Sequence, residues 1–387
     1  MQHFNNKPAY SDTNSVIKSE LFDEAYAHIK EWPNYEPSTL RFLPNLAAEL
    51  GLKQIYYKDE SERFGLKSFK SLGGAYAVVH VLQEHLRTTH PGVDITDTDL
   101  KAGKYAKELE NFIVATATDG NHGRSVAWGA HECGIKCKIY MHSGVSQSRG
   151  VAVELLGAEV TWVDGNYDDS LMQVKRDAIA NQWHIISDTS YEGYTYVPKY
   201  VMAGYTVMTK EIVTQLEGEQ IPTHIIIQGG VGGLAGAICA HAAGIWGDKR
   251  PRFVIVEPET ADCLYQSACV GEPRMVHIET ETLMGGLSCG EVSLLGWNIL
   301  KDNADDFITI SDDNVKSAMC IMAMGIGDDP TIEAGESAVA GIAALMELKD
   351  NAELKASLGI DANSRILLFG TEGATDPEMY KEIVSGG

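Results

Sequence analysis

The 387-residue chain is 44% hydrophobic and 22% charged, a balance that supports two domains with substantial cores and excludes a disordered polymer. Its 54 acidic against 31 basic residues give a formal charge of −23, so the average surface repels phosphate backbones and anionic membranes, and neither nucleic acid nor a membrane is an expected partner. No apolar run approaches a membrane span, residues 1–7 lack the basic-then-apolar order of a secretory signal, and seven cysteines argue for mostly reduced thiols; a cytoplasmic protein is expected.

Residues 1–51 read as an N-terminal arm, polar with scattered aromatics, ending in a short helix capped by Asn45 and stopped by Gly51. Residues 55–58 read as a strand and 58–63 as a charged loop. The loop gives way to Ser68-Phe69-Lys70-Ser71-Leu72-Gly73-Gly74 and to a helix over 72–86, whose apolar positions recur at helical spacing. A lysine between an aromatic residue and paired glycines, at an apolar strand-to-helix junction, sits where desolvation can lower its pKa and make it a nucleophile toward a carbonyl. The plainer alternative is a packed stem whose ammonium reaches solvent.

A polar connector with one short helix covers 88–110. Beyond it the pattern becomes regular, with strands at 112–116, 136–141, 159–163 and 184–187 and helices at 123–133, 147–156 and 168–181. Strands alternating with helices imply a parallel sheet wrapped on both faces, so a compact α/β unit is expected over 110–187. A second run follows: a helix at 200–216, strands at 223–227, 253–257, 306–310 and 365–369, and helices at 234–246, 313–324 and 336–348.

Two further loops carry chemistry. Gln228-Gly229-Gly230-Val231-Gly232-Gly233-Leu234 follows a strand of β-branched residues and opens a helix, so backbone amides and the positive helix terminus can converge on one anion, as a phosphate would require. It also contains a G-x-G-x-x-A spacing, which leaves a nucleotide-binding oxidoreductase open, although the loop follows a late strand and Glu257 alone is a poor ribose marker. Thr116-Ala117-Thr118-Asp119-Gly120-Asn121-His122-Gly123 again lies between a buried strand and a helix; Asn121 offers a donor and an acceptor, and Asp119 a carboxylate that could serve as acid, base or helix cap. Cys133 and Cys137 have no second pair at metal spacing, so no metal is expected.

With Lys70, Asn121 and the glycine loop all at strand-to-helix junctions, the sequence resembles the fold-type II (tryptophan synthase β-like) pyridoxal-phosphate enzymes. Within that group it resembles the diaminopropionate ammonia-lyases most closely, through Lys58-Asp59-Glu60-Ser61-Glu62-Arg63-Phe64-Gly65, Lys70 to Tyr76, Thr118 to Arg124, Asn166-Tyr167-Asp168-Asp169, Asp188 to Thr195, Gly335-Glu336-Ser337 and Thr371-Glu372-Gly373. The resemblance implies an α/β protein of two domains, each an open, mainly parallel twisted sheet flanked by helices, with the active site at their interface. The arm would be 1–51, the larger phosphate-binding domain 52–109 with 188–387, and the smaller domain 110–187.

Carried over by position, Phe69 would lie beside the pyridoxal 5'-phosphate that Lys70 holds, Asn121 would meet the ring hydroxyl, Gly229, Gly230, Val231, Gly232 and Gly233 the phosphate, and Thr371 the ring nitrogen. The amides from Thr118 through Asp119, Gly120 and Asn121 to His122 would bind the substrate carboxylate. The implied reaction is α,β-elimination of 2,3-diaminopropionate to aminoacrylate and then pyruvate and ammonia, with Lys70 as base on one face. Asp119, where threonine dehydratases commonly carry Ala, would serve the other face, so that both D and L isomers react; Asp119 and Asp188 would hold the cationic β-amino group. The family also implies a homodimer, and Cys263 and Cys289 match a pair that it can bridge. Ser190-Tyr191, Tyr196 and Glu291-Val292-Ser293 depart from the bacterial pattern, which keeps serine, threonine, 3-hydroxyaspartate or another β-substituted amino acid open as substrate.

Overall fold

The computed structural model describes residues 1–118, 120–216 and 220–386. The chain divides into two compact units, one of Met1–Glu20, Pro37–Ser68 and Met208–Gly387, the other of Leu21–Glu36 and Phe69–Val207. In chain order the strands are β1 (His3–Asn5), β2 (Thr39–Phe42), β3 (Gln54–Asp59), β4 (Ile113–Ala117), β5 (Lys136–His142), β6 (Glu159–Val163), β7 (His184–Ile185), β8 (His224–Gln228), β9 (Arg252–Pro258), β10 (Asp306–Ile310) and β11 (Arg365–Gly370).

The first unit holds a seven-stranded sheet in the order β1-β10-β9-β8-β11-β3-β2. Its five central strands run parallel, and only the edge strands β1 and β2 are antiparallel. β8 and β10 are buried along their whole lengths, as expected of parallel strands covered on both faces, with Ile225, Ile226 and Ile227 in one and Phe307, Ile308 and Ile310 in the other. The second unit holds a four-stranded parallel sheet, β6-β5-β4-β7, which corresponds to the alternating run read in the sequence.

Residues 1–51 are folded elements of both units rather than an arm. They supply both antiparallel edges of the larger sheet and the helix Glu20–Ile29 of the smaller unit. The short helix is Pro44–Glu49, and Asn45 does not cap it: the Asn45 and Leu46 amides donate to the distant Asp329 carboxylate at 3.1 and 2.8 Å. The helix expected at 200–216 is two, Tyr196–Tyr205 and Val207–Gln215.

The resemblance places 52–109 and 188–387 in the larger domain, whereas Phe69–Val207 packs in the smaller unit. The helix Lys70–Thr89 begins at the lysine itself, and its glycines explain the grouping. A Cβ on Gly73 would stand 2.7 Å from Val201 O, and one on Gly74 2.4 Å from Ser125 Oγ. Gly129 answers from the facing helix Asn121–Glu132, where a Cβ would meet Ala75 Cα at 2.7 Å. Three helices of this unit therefore approach at backbone distance, which only small residues permit.

Candidate active site

In the smaller unit, β4 and β7 are parallel neighbours, so the segments leaving their carboxyl ends start side by side. β4 leads to the loop at Thr118 and the helix Asn121–Glu132; β7 leads to Asp188. Lys70 Nζ stands 2.5 Å from Asp188 Oδ2, with the two side chains 24% and 16% exposed, so the amine is reachable yet mostly sheltered. Burial alone would raise the Asp188 carboxyl, but the Lys70 ammonium beside it holds it well below the usual carboxylate range. The turn at Asp188 is held by Ser187, whose Oγ accepts from the Thr189 amide at 3.2 Å. The aspartate faces the lysine, and its carboxylate also takes a hydrogen bond from its own backbone amide.

The lysine is fixed from several sides. Its backbone carbonyl accepts from Ser125 Oγ at 2.6 Å, and the same hydroxyl accepts from the Ala75 amide at 3.0 Å. Phe69 and Tyr205 pack ring on ring at 4.7 Å, with Lys70 Nζ 5.3 and 5.7 Å from their centroids. Ser125 and Tyr205 were missed in the sequence; Ser125 could have been suspected, since it lies one turn beyond Asn121 and opposite the paired glycines.

The loop at Thr118 narrows the expectation of a carboxylate nest. Thr118 N donates to Tyr140 O at 3.0 Å, and Thr118 Oγ1 accepts from Gly120 N at 3.0 Å and Gly123 N at 3.1 Å. Thr118 and Gly120 therefore shape the loop with their own polar groups, and the helix start at Asn121 and His122 is what they hold in place. Asp119 lies outside the described residues. The His122 side chain is buried, with Nε2 2.8 Å from Ile186 O and Nδ1 3.8 Å from Asp188 Oδ2.

In the larger unit the glycine loop and Thr371 also leave the carboxyl ends of neighbouring parallel strands, β8 and β11. The helix Gly233–Trp246 opens directly from the loop. Gly230 (φ +51°) and Gly232 (φ +94°) take the left-handed conformation that aims successive amides to one side. A Cβ on Gly229 would stand 2.6 Å from Glu257 Cγ, whereas one on Gly230 would meet nothing nearer than 3.8 Å. Glu257 is no ribose ligand: its carboxylate accepts from the Leu264 and Tyr265 amides at 2.9 and 2.7 Å and caps the helix Cys263–Val270 beneath the loop. Val231 O accepts from Ser293 N at 2.7 Å, and Thr371 is buried. Cys263 and Cys289 form no disulfide, and no cluster of metal-ligating side chains occurs among the described residues.

The charged loop at 58–63 is an interior ion network. Lys58 and Arg63 pair with Glu60 and Glu211: Lys58 Nζ stands 2.6 Å from Glu211, and the Arg63 guanidinium reaches Glu60 at 2.8 Å and Glu211 at 2.7 Å. Two cations against two carboxylates leave no net charge, which is what allows burial.

A family whose members are described as pyridoxal-phosphate dependent enzymes matches residues 32–368. The chain belongs to this family. Among curated pyridoxal-phosphate enzymes, the diaminopropionate ammonia-lyase of Salmonella typhimurium is 37% identical over 381 residues, covering 96% of this chain and 94% of its own. The selenomethionine-incorporated holo diaminopropionate ammonia lyase from Escherichia coli superposes with a TM-score of 0.92 at 35% identity, covering 100% of this chain and 97% of that one. The same enzyme in complex with D-serine gives 0.90 at 34% identity, again covering 100% and 97%.

The residues present fit the cofactor. The Gly229–Gly233 loop opens a fourteen-residue helix, with Gly230 and Gly232 in the left-handed conformation that turns successive amides to one side and open space where a Cβ on Gly230 would stand, as a phosphate at a helix start requires. Lys70 supplies a sheltered primary amine for the aldehyde. Among the described residues, no helix is long and apolar enough to cross a membrane.

Proposed function

We propose that this chain eliminates the β-amino group of 2,3-diaminopropionate, D as well as L, to give pyruvate and ammonia. The observation that carries the reading is the Lys70–Asp188 pair, set in a chain that matches the ammonia-lyases over nearly the whole length of both. Pyridoxal phosphate, when bound, supplies the electron-accepting ring that makes loss of the α-proton affordable. Lys70 holds the cofactor and, once freed by substrate, accepts the α-proton at Nζ. Asp188 offers its carboxylate to the cationic β-amino group, which leaves better as an ammonium. Phe69 packs beside the lysine, Asn121 and Thr371 orient the cofactor ring, and the amides of Gly229, Gly230, Val231, Gly232 and Gly233 hold its phosphate. Asn121 and His122 present helix-start donors to the substrate carboxylate. Asp119 serves as base for the enantiomer that Lys70 does not reach. The working unit is a cytoplasmic homodimer, a reading supported by family resemblance.

A second reading, elimination from a β-hydroxy amino acid, is favoured by the D-serine complex of the Escherichia coli enzyme. The test is pyruvate formation from D- and L-diaminopropionate, serine, threonine and 3-hydroxyaspartate. Borohydride reduction and peptide mapping should tag Lys70. Tagging elsewhere would end the proposal, and an Asp119→Asn enzyme equally active on both isomers would end its two-faced part.

A further inference from the structure

One carboxylate oxygen serves two bases in the smaller unit. Asp188 Oδ2 lies 2.5 Å from Lys70 Nζ and 3.8 Å from His122 Nδ1. The tautomer of His122 is set by its other nitrogen: Nε2 lies 2.8 Å from the Ile186 carbonyl, which can only accept, so Nε2 carries the hydrogen. Neutral His122 therefore turns the lone pair of Nδ1 toward an anion that also has only lone pairs to offer. Nδ1 is buried without a hydrogen-bond partner among the described residues, a costly arrangement for a polar atom. It becomes a charge-assisted hydrogen bond as soon as Nδ1 takes up a proton.

We propose that His122 is the proton acceptor for Lys70 and the alternative counter-ion of Asp188. The inference rests on the reading of Lys70 as the cofactor's amine, because that amine attacks only after shedding a proton. The N–H bond of the ammonium breaks, its electron pair stays on Nζ, and the proton passes by way of Asp188 Oδ2 to the lone pair of Nδ1. Before transfer the three groups carry +1, −1 and 0; afterwards they carry 0, −1 and +1. The buried cluster stays neutral throughout, and Asp188 is never left unpaired. Among the described residues, the charged groups facing His122 are Asp188, from the segment after β7, and Lys70, from the helix Lys70–Thr89. Burial holds the imidazole below its ordinary value, Asp188 opposes this and Lys70 adds to it, so His122 rests neutral while Lys70 is charged.

The test needs no turnover. In the full chain stripped of cofactor and labelled with nitrogen-15 at histidine, the His122 signal is identified by its absence in His122→Gln and followed against pH. Replacing the cation by Lys70→Met should raise the His122 midpoint by about one unit or more, whereas Lys70→Arg should leave it near its starting position. Lys70→Met combined with Asp188→Asn should abolish the rise, and circular dichroism checks that each variant is folded. An unchanged midpoint in Lys70→Met, a rise that persists without Asp188, or a neutral tautomer with hydrogen on Nδ1 would overturn the assignment. As a second readout, the appearance of the visible absorbance band on adding pyridoxal phosphate should need higher pH in His122→Gln than in the parent; identical pH profiles would also overturn it. Absence of pyruvate from every amino acid tried would refute the proposed function while leaving these titrations as they stand.

Discussion

The phosphate cradle can be tested with a single methyl group placed at two adjacent glycines. At Gly229 the new Cβ would lie 2.6 Å from Glu257 Cγ and 3.1 Å from both Ile255 Cγ2 and Leu264 Cδ1. Ordinary carbon contacts begin near 3.5 Å, and Glu257 cannot swing aside because two backbone amides hold its carboxylate, so Gly229→Ala should cost about 1–3 kcal/mol by overpacking. At Gly230 the space is open, nothing standing nearer than 3.8 Å, and the cost of Gly230→Ala is the left-handed backbone at φ +51°, about 1–2 kcal/mol. Urea denaturation of the cofactor-free chain gives both values, which overlap, so the deciding measurement is a double-mutant cycle with Glu257→Ala. Removing Cγ relieves the collision at Gly229 and does nothing for the backbone at Gly230. A coupling of about 1 kcal/mol or more is therefore expected for Gly229→Ala with Glu257→Ala, and additivity for the Gly230 pair. Additive behaviour at Gly229 would refute the claim that Glu257 props up the loop.

Glu211→Gln should destabilise the chain by about 3–5 kcal/mol in urea, because it leaves Lys58 and Arg63 buried with only Glu60 to balance them; a loss below about 1 kcal/mol would show the network to be solvated. Ser125→Ala removes one buried hydroxyl that both donates to Lys70 O and accepts from Ala75 N, and should cost about 1–3 kcal/mol and lower turnover; unchanged thermal stability and turnover would contradict its positioning role. His80 is pushed down to about 4 by burial, helped by Arg87 and His28. Its folded value lies below its unfolded one, so the stabilisation is complete above pH 6.5 and is lost as pH falls toward 4, by about 3 kcal/mol at most. Chemical denaturation across that window should find the slope reduced in His80→Phe, and an unaltered slope would exclude His80 as its source.

Much of the site was legible because it is local. Phe69-Lys70 beside Gly73 and Gly74, the β-branched run before Gly229, and the buried run before Thr118 each announce a strand or loop giving way to a helix within a dozen residues. Backbone geometry at such junctions depends on the residues themselves. The same locality misled where burial decided the outcome. Residues 58–63 carry five charged side chains and read as a charged loop, and nothing local shows that Glu211, far along the chain, makes Lys58 and Arg63 interior residues. Within the first 51 residues the helix Glu20–Ile29 carries helical spacing at Phe22, Ala25 and Ile29, but the strands do not announce themselves, and they exist because the edges of a sheet built by later segments are there to pair with.

By itself the sequence determined the parallel α/β class, the junctions that carry Lys70, Asn121 and Gly229–Gly233, and the amine chemistry that the family shares. Only the tertiary structure decided that Asp188, 118 residues from Lys70, faces its amine, that one oxygen of that aspartate also faces His122, and that Thr118 and Glu257 are spent on holding loops. The physical reason is that turn chemistry and periodicity act between neighbours. A pair between distant segments depends instead on which strands lie side by side and in what register, a property of the assembled sheet.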